Sequence, residues 1–85
     1  MARTANDKLL MAVIGLNIRV ERARHKWNQS NLAEESGVSK TSISYAENAV
    51  RMPTPSTLRT IAIALGTTPE WLKEDHSNER EKERE

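Results

Sequence analysis

The stretch from Gln29 to Glu47, QSNLAEESGVSKTSISYAE, limits what this chain can fold into more than any other. Its pattern predicts two short helices joined by a turn at Gly37. Asn28 can cap the first, because its side-chain oxygen can accept amide protons that a helix start leaves bare. Trp27 before that cap and Leu32 after it have the spacing of a hydrophobic staple. The second helix repeats the device with Val38, the cap Ser39, and Ile43. Gly37 suits the left-handed backbone that such a tight connection needs. Leu32, Ala33, Val38, Ile43 and Ala46 supply the apolar face, and Ala33 is small enough for two helices to cross closely. That spacing leaves Lys40, Thr41, Ser44 and Tyr45 facing outward.

The chain on either side extends the helical pattern. Residues from Asp7 to about Lys26 read as helix, started at Thr4-Ala-Asn-Asp7, with Leu9, Leu10, Val13, Ile14, Leu16 and Val20 on or beside one face. Gly15 interrupts it at a cost of ~1 kcal/mol against Ala. Whether residues 7–14 extend this helix or form a separate turn is left open by the pattern. After Asn48 two prolines enforce a loop. Thr54 and Pro55 then start a fourth helix with the core stripe Leu58, Ile61, Ala62 and Leu65, and Gly66 stops it. Thr68-Pro69 starts a short fifth helix carrying Trp71, expected in the core, and Leu72. The fold class is all-α. The first six residues read as a flexible start, 7–74 as one domain and 75–85 as a charged tail. From Lys73 onward no apolar residue appears. Glu79 to Glu85 alternates charge so that like charges fall at every i,i+4, which favours a disordered, solvating tail.

Beyond Asn48 the spacing is as telling as the turn itself. Gln29-x-x-Leu-Ala-x-x-x-Gly-Val-Ser, Ile43-Ser-x-x-Glu-Asn, Pro53-Thr-x-x-x-Leu-x-x-Ile-Ala-x-x-Leu-Gly and Pro69-Glu-Trp-Leu follow one another between about Ile14 and Leu72. Together they resemble the helix-turn-helix of the phage-repressor-like (Cro/XRE) family of DNA-binding proteins. The resemblance implies a compact five-helix repressor-like domain with the helix-turn-helix at its second and third helices. Two positions depart from the family pattern: Ser36 is polar and Ala46 small where larger apolar residues are common. A thinner core under the third helix is the expectation. Residues 7–14 are additional to the family's first helix.

A helix presented to the major groove reads bases with outward side chains near its N-terminus. Lys40 and Thr41 sit on that first turn, with Ser44 and Tyr45 one turn on. Lysine can donate to guanine O6 and N7, and the threonine methyl can touch a thymine methyl. Tyr45 has an alternative, lying along the fourth helix. By the resemblance, Asn28 and Gln29 hold phosphates, while Ser39, Asn48 and Arg51 flank the groove and grip the backbone. Ser39 and Asn28 are needed as caps in any case. Glu47 ends the third helix, where a carboxylate opposes the helix dipole and calls for a cation; the family pairs it with an arginine at the position of Arg22.

Eighty-five residues make one domain at most. The net charge of +1 does not announce a polyanion partner, but its distribution is informative. Residues 1–60 hold nine Lys/Arg against five Asp/Glu, a balance of +4, and residues 61–85 hold four against seven, a balance of −3. The basic excess coincides with the helix-turn-helix part. No cysteine excludes disulfides and thiolate metal sites. Ser39, Ser42 and Ser44 have no histidine placed to activate them, His25 has no companion ligand and reads as a surface residue, and there is no glycine-rich phosphate loop. Neither catalysis nor a cofactor or metal is therefore expected.

With no apolar run near the ~20 residues that span a bilayer, and no secretory start, the expected place of action is the cytoplasm and nucleoid of a prokaryote or phage-infected cell. The expected function is a DNA-binding transcriptional regulator, a repressor, acting as a homodimer on an inverted-repeat operator. The alternatives are the antitoxin of a toxin–antitoxin pair, gripping its partner through the N-terminal segment or tail, and a protein-interaction adaptor that has lost DNA binding. For the dimer surface, the run Leu9–Ile14 is favoured over the region from Thr67 to Asp75.

Overall fold

In the computed structural model, which describes residues 5–77, one continuous helix, α1 (Ala5–Arg24), forms the back of the molecule. Residues 7–14 thus extend the first helix instead of forming a separate turn. Asp7 in its first turn and Arg22 and Arg24 in its last complement the dipole. Lys26 takes a left-handed φ of 60° to end it, and the Trp27 amide donates back to the Arg22 carbonyl at 3.1 Å. Four shorter helices follow: α2 (Gln29–Ser36), α3 (Lys40–Glu47), α4 (Pro55–Leu65) and α5 (Pro69–Lys73). Among the described residues there is no strand. The five-helix, all-α expectation holds.

Every helix start after α1 uses the side chain read from the sequence. Asn28, Ser39, Thr54 and Thr68 each accept the amide of the residue three positions on, and Pro55 and Pro69 occupy first-turn positions whose amides need no partner. At Asn28 the exchange is reciprocal, since its own amide donates to the Asn31 side chain at 2.9 Å. Gly37 joins α2 to α3 with a φ of 76°.

The core is enclosed by a ring of helices in which α1 packs on α3 and α5, α2 on α3 and α4, and α4 on α5. Ile14, Ile18, Leu32, Ile43, Leu58, Ile61, Ala62 and Leu72 are almost fully buried, with Trp27, Val38 and Met52 half-buried against them. On α1 the buried apolar stripe is Met11, Ile14 and Ile18; of the expected face only Ile14 belongs to it, and Met11 and Ile18 lie outside that expectation. Leu9 and Leu16 point to solvent. The cause is rotation: a helix with 3.6 residues per turn cannot turn 9, 13, 16 and 20 toward the same neighbours as 11, 14 and 18.

Gly15 and the small, buried Ala46 meet at a close helix crossing. Here α1 passes directly over the end of α3, and a Cβ on Gly15 would lie 2.7 Å from the Ala46 carbonyl oxygen and 2.6 Å from that of Glu47. The helices fill the expected thin core by approaching each other, not with bulk. Ser36 is likewise accommodated, its hydroxyl donating to the Leu32 carbonyl (2.7 Å) and accepting the Val38 amide (3.1 Å). A polar residue here serves the turn.

Three contacts were not legible in the sequence. Buried Asn17 donates its side-chain amide to the carbonyls of Leu72 (2.9 Å) and Glu74 (2.7 Å), fastening the end of α5 to α1. Trp71 is not in the core. It is partly exposed and stacks on His76, whose ring nitrogen Nε2 donates to the Trp71 carbonyl at 2.8 Å. His76 is itself buried, so packing runs past residue 74. His25 is exposed as expected, yet its Nε2 donates to the Leu65 carbonyl (2.8 Å) and its ring stacks on Trp27, tying α1 to the end of α4. The expectations for residues 1–4 and for the alternating-charge tail from Asn78 lie outside the described residues.

Candidate nucleic-acid interface

α3 turns Ile43, Ala46 and Glu47 inward and leaves the opposite side of its first two turns open. Lys40 and Thr41 are exposed on the first turn, Tyr45 is 39% exposed one turn on, and Ser44 is half-buried. Ser39 caps the helix by accepting the Ser42 amide at 3.1 Å, and its hydroxyl bonds that of Ser42 at 2.9 Å. At the other end the Asn48 side-chain amide donates to the Ser44 carbonyl at 2.9 Å and lies 3.3 Å from the Ser44 hydroxyl. Asn48 therefore caps the end of α3 by bonding back to Ser44, one turn inside the helix.

The direction of α3 is fixed by an ion pair buried beneath it. Arg22 on α1 grips Glu47 with two parallel bonds, Nε to Oε2 at 2.7 Å and Nη2 to Oε1 at 2.9 Å. Its remaining Nη1 donates to the Trp27 carbonyl at 2.9 Å. The hydrogen bonds to Glu47 raise the Arg22 pKa above its ordinary value, outweighing desolvation. Gln29 joins the cluster, its side-chain amide donating to Glu47 Oε1 at 3.1 Å. One carboxylate thus holds the end of α1, the start of α2 and the end of α3 in a fixed relation.

Two depressions flank the exposed start of α3. One, of about 340 Å³, is lined by Arg22, Asn28, Gln29, Ser30 and Lys40. Here the first turn of α2, with amides that can meet an anion, lies beside a lysine and an arginine. Ser30 was missed by the sequence reading, although its place directly after Gln29 on the first turn of α2 marks it. The other, of about 300 Å³, lies between α3 and the loop before α4 and includes Thr41, Ser42, Tyr45, Arg51, Thr54 and Thr57. The Arg51 guanidinium sits 5.3 Å from the centre of the Tyr45 ring, within cation–π range. This contact places Arg51 beside the outward face of α3. Thr54 was read only as a helix cap and Thr57 was not singled out; their proximity to Arg51 depends on how the 48–54 loop folds back.

The residues singled out from sequence therefore form one face, with Asn28, Gln29 and Lys40 on one flank, Thr41, Tyr45 and Arg51 on the other, and Ser39 between. Ser44 and Asn48 close its far end. Among the described residues no group of three or more His, Asp or Glu side chains could hold a metal.

Comparison with known proteins agrees with this fold. A solved structure from Neisseria, described as the hypothetical transcription factor NHTF, superposes with a TM-score of 0.79 at 26% identity, over 95% of this chain and 93% of that one. A transcriptional regulator of the HTH_3 family from Vibrio cholerae shares the fold, with a TM-score of 0.74 at 24% identity over 85% of this chain. This chain spans 39% of that protein. No curated protein matched the sequence. The family model described as Helix-turn-helix, HTH_3, matches residues 18–72, from the second half of α1 through α5, and the chain belongs to this Cro/XRE-type family of helix-turn-helix DNA-binding proteins.

Proposed function

We propose that the chain is a sequence-specific transcriptional regulator, a repressor, that inserts the start of α3 into the major groove of duplex DNA and binds an inverted-repeat operator as a homodimer. The observation that carries this reading is the exposure of Lys40 and Thr41 on the first turn of a helix whose orientation the Arg22–Glu47 pair fixes from below. Base discrimination falls to Lys40 and Thr41, with Ser44 and Tyr45 beyond them. The start of α2, with Asn28, Gln29 and Ser30, and Arg51 on the opposite flank meet phosphates. The description of the Neisseria protein as a transcription factor supports the same use of the fold. A dimer follows from arithmetic. About four base-reading side chains at ~1–3 kcal/mol each, less the misfits, do not outcompete genomic DNA, and a two-fold axis doubles the readout. The chain acts by binding, in the cytoplasm and on the nucleoid, where its duplex partner lies. No helix among the described residues is long and apolar enough to cross a membrane.

Titration against mixed duplex DNA at several salt concentrations tests the reading. The expected outcome is binding that weakens steeply with salt. Arg51→Ala should weaken all duplexes alike and reduce the salt slope by about one. Salt-independent or absent binding would favour the adaptor reading instead.

A further inference from the structure

α1 carries two apolar stripes, and the fold covers only one. Met11, Ile14 and Ile18 face the core. Leu9, Val13, Leu16 and Val20 follow one another in steps of four, three and four residues. At 3.6 residues per turn they fall within about 60° of one another, roughly opposite Ile18. Leu9 is 65% exposed, Leu16 38% exposed, and both valines are half-exposed. Their alternating step averages about 3.5 residues, the period of a helix–helix seam, with valines at one heptad position and leucines at the other. The apolar run read from the sequence as a dimer surface is thus divided, because Met11 and Ile14 belong to the core.

We propose that this stripe is the docking site for a second copy of the chain, with the two α1 helices antiparallel across a two-fold axis. A two-fold contact pairs residue i with j and j with i. The stripe meets that condition, with Leu9 on the partner's Val20 and Val13 on the partner's Leu16, so every layer holds one leucine and one valine. Exposed Asn6, one heptad before Val13, then faces the small Ala23 of the other copy. Charge selects the direction. Parallel helices would bring Arg19 beside the other copy's Arg24 on both flanks, a like-charge contact, whereas antiparallel helices place Arg19 beside Ala12. The seam is about 17 Å long and offers less than the ~800 Å² per partner of a standard stable interface. Its dissociation constant is therefore on the order of micromolar, and operator DNA completes the assembly. This inference gives the proposed operator-binding dimer its surface and rests on that reading for its use on DNA, but its test needs no DNA.

The test is sedimentation of the full chain at about ten micromolar, above that constant but below one a hundredfold weaker. The wild type should sediment as a dimer. Leu16→Glu should be monomeric, about a hundredfold weaker in self-association, with an unchanged circular-dichroism spectrum because Leu16 is outside the core. The chain has no cysteine, so Leu9→Cys and Val20→Cys introduce single thiols. Under mild oxidation each alone should remain uncrosslinked, and their mixture should form a covalent dimer. A monomeric wild type, or a Leu16→Glu variant that dimerises unchanged, would overturn the proposal. Covalent dimers from Val20→Cys alone would overturn the antiparallel register. An operator lacking two-fold symmetry would count against the dimeric DNA reading while leaving the sedimentation result standing.

Discussion

Glu47→Ala is expected to lower the unfolding free energy by about 3–5 kcal/mol, the range for breaking a buried ion pair from one side. Glu47 is 3% exposed and receives three side-chain hydrogen bonds, two from Arg22 and one from Gln29. The Arg22 side chain is one-fifth exposed, so removing its partner strands a guanidinium that water reaches poorly. The pair also offsets an unfavourable placement, a carboxylate at the negative end of α3. For a domain whose total stability is about 5–15 kcal/mol, the loss is a large share of the whole. Glu47→Gln, which keeps the shape and one acceptor, should cost less and remain folded. Urea unfolding of Arg22→Met, Glu47→Ala and the double variant reads the coupling directly. The double should cost clearly less than the two singles together, because it leaves no buried charge unpaired. Strictly additive losses would mean that the pair does not act as a clamp.

Gly15→Val is expected to destabilise the chain by about 3 kcal/mol or more, and Gly15→Ala by ~1–3 kcal/mol. The sign for alanine is the informative part. On an open helix surface the same change would gain ~1 kcal/mol from helix propensity. Here the added carbon would meet two backbone carbonyl oxygens of α3 at 2.6 and 2.7 Å, and backbone cannot swing aside as a side-chain tip can. α1 would have to lift from the end of α3, straining the Arg22–Glu47 bonds along the same contact. Thermal melts of both variants suffice, and a Gly15→Ala protein more stable than wild type would show that the helices do not approach this closely.

These two effects mark where the sequence could and could not be read. Caps, turn and proline starts are local physics, and Asn28, Ser39, Thr54 and Thr68 each do what their spacing implies. The outward set on α3 follows from periodicity alone, because Ile43 and Ala46 fix which side is buried. Gly15 shows the limit. From sequence it reads as a weakness in a helix, and only the position of α3 turns it into a crossing point. Asn17 and His25 bond carbonyls 55 and 40 residues away, contacts to backbone that no side-chain pattern announces. Trp71 misled for a related reason: its partner is His76, in a segment whose composition reads as tail. The residues of the candidate face were named from the sequence one by one, but the cation–π contact of Arg51 with Tyr45 and the place of Ser30 beside Lys40 and Arg22 required the folded loop and helix start.

Selection of binding sites from a random duplex pool, run in parallel with the wild type and Lys40→Ala, bears most directly on the claim that α3 reads DNA. The wild type should enrich an inverted repeat with half-sites about one helical turn, ~34 Å, apart. Lys40→Ala should lose ~1–3 kcal/mol on that site and relax the preference at one position in each half, leaving the rest intact. An enriched motif that is unchanged by Lys40→Ala, or no enriched motif at all, would contradict the assignment of α3 as the reading helix.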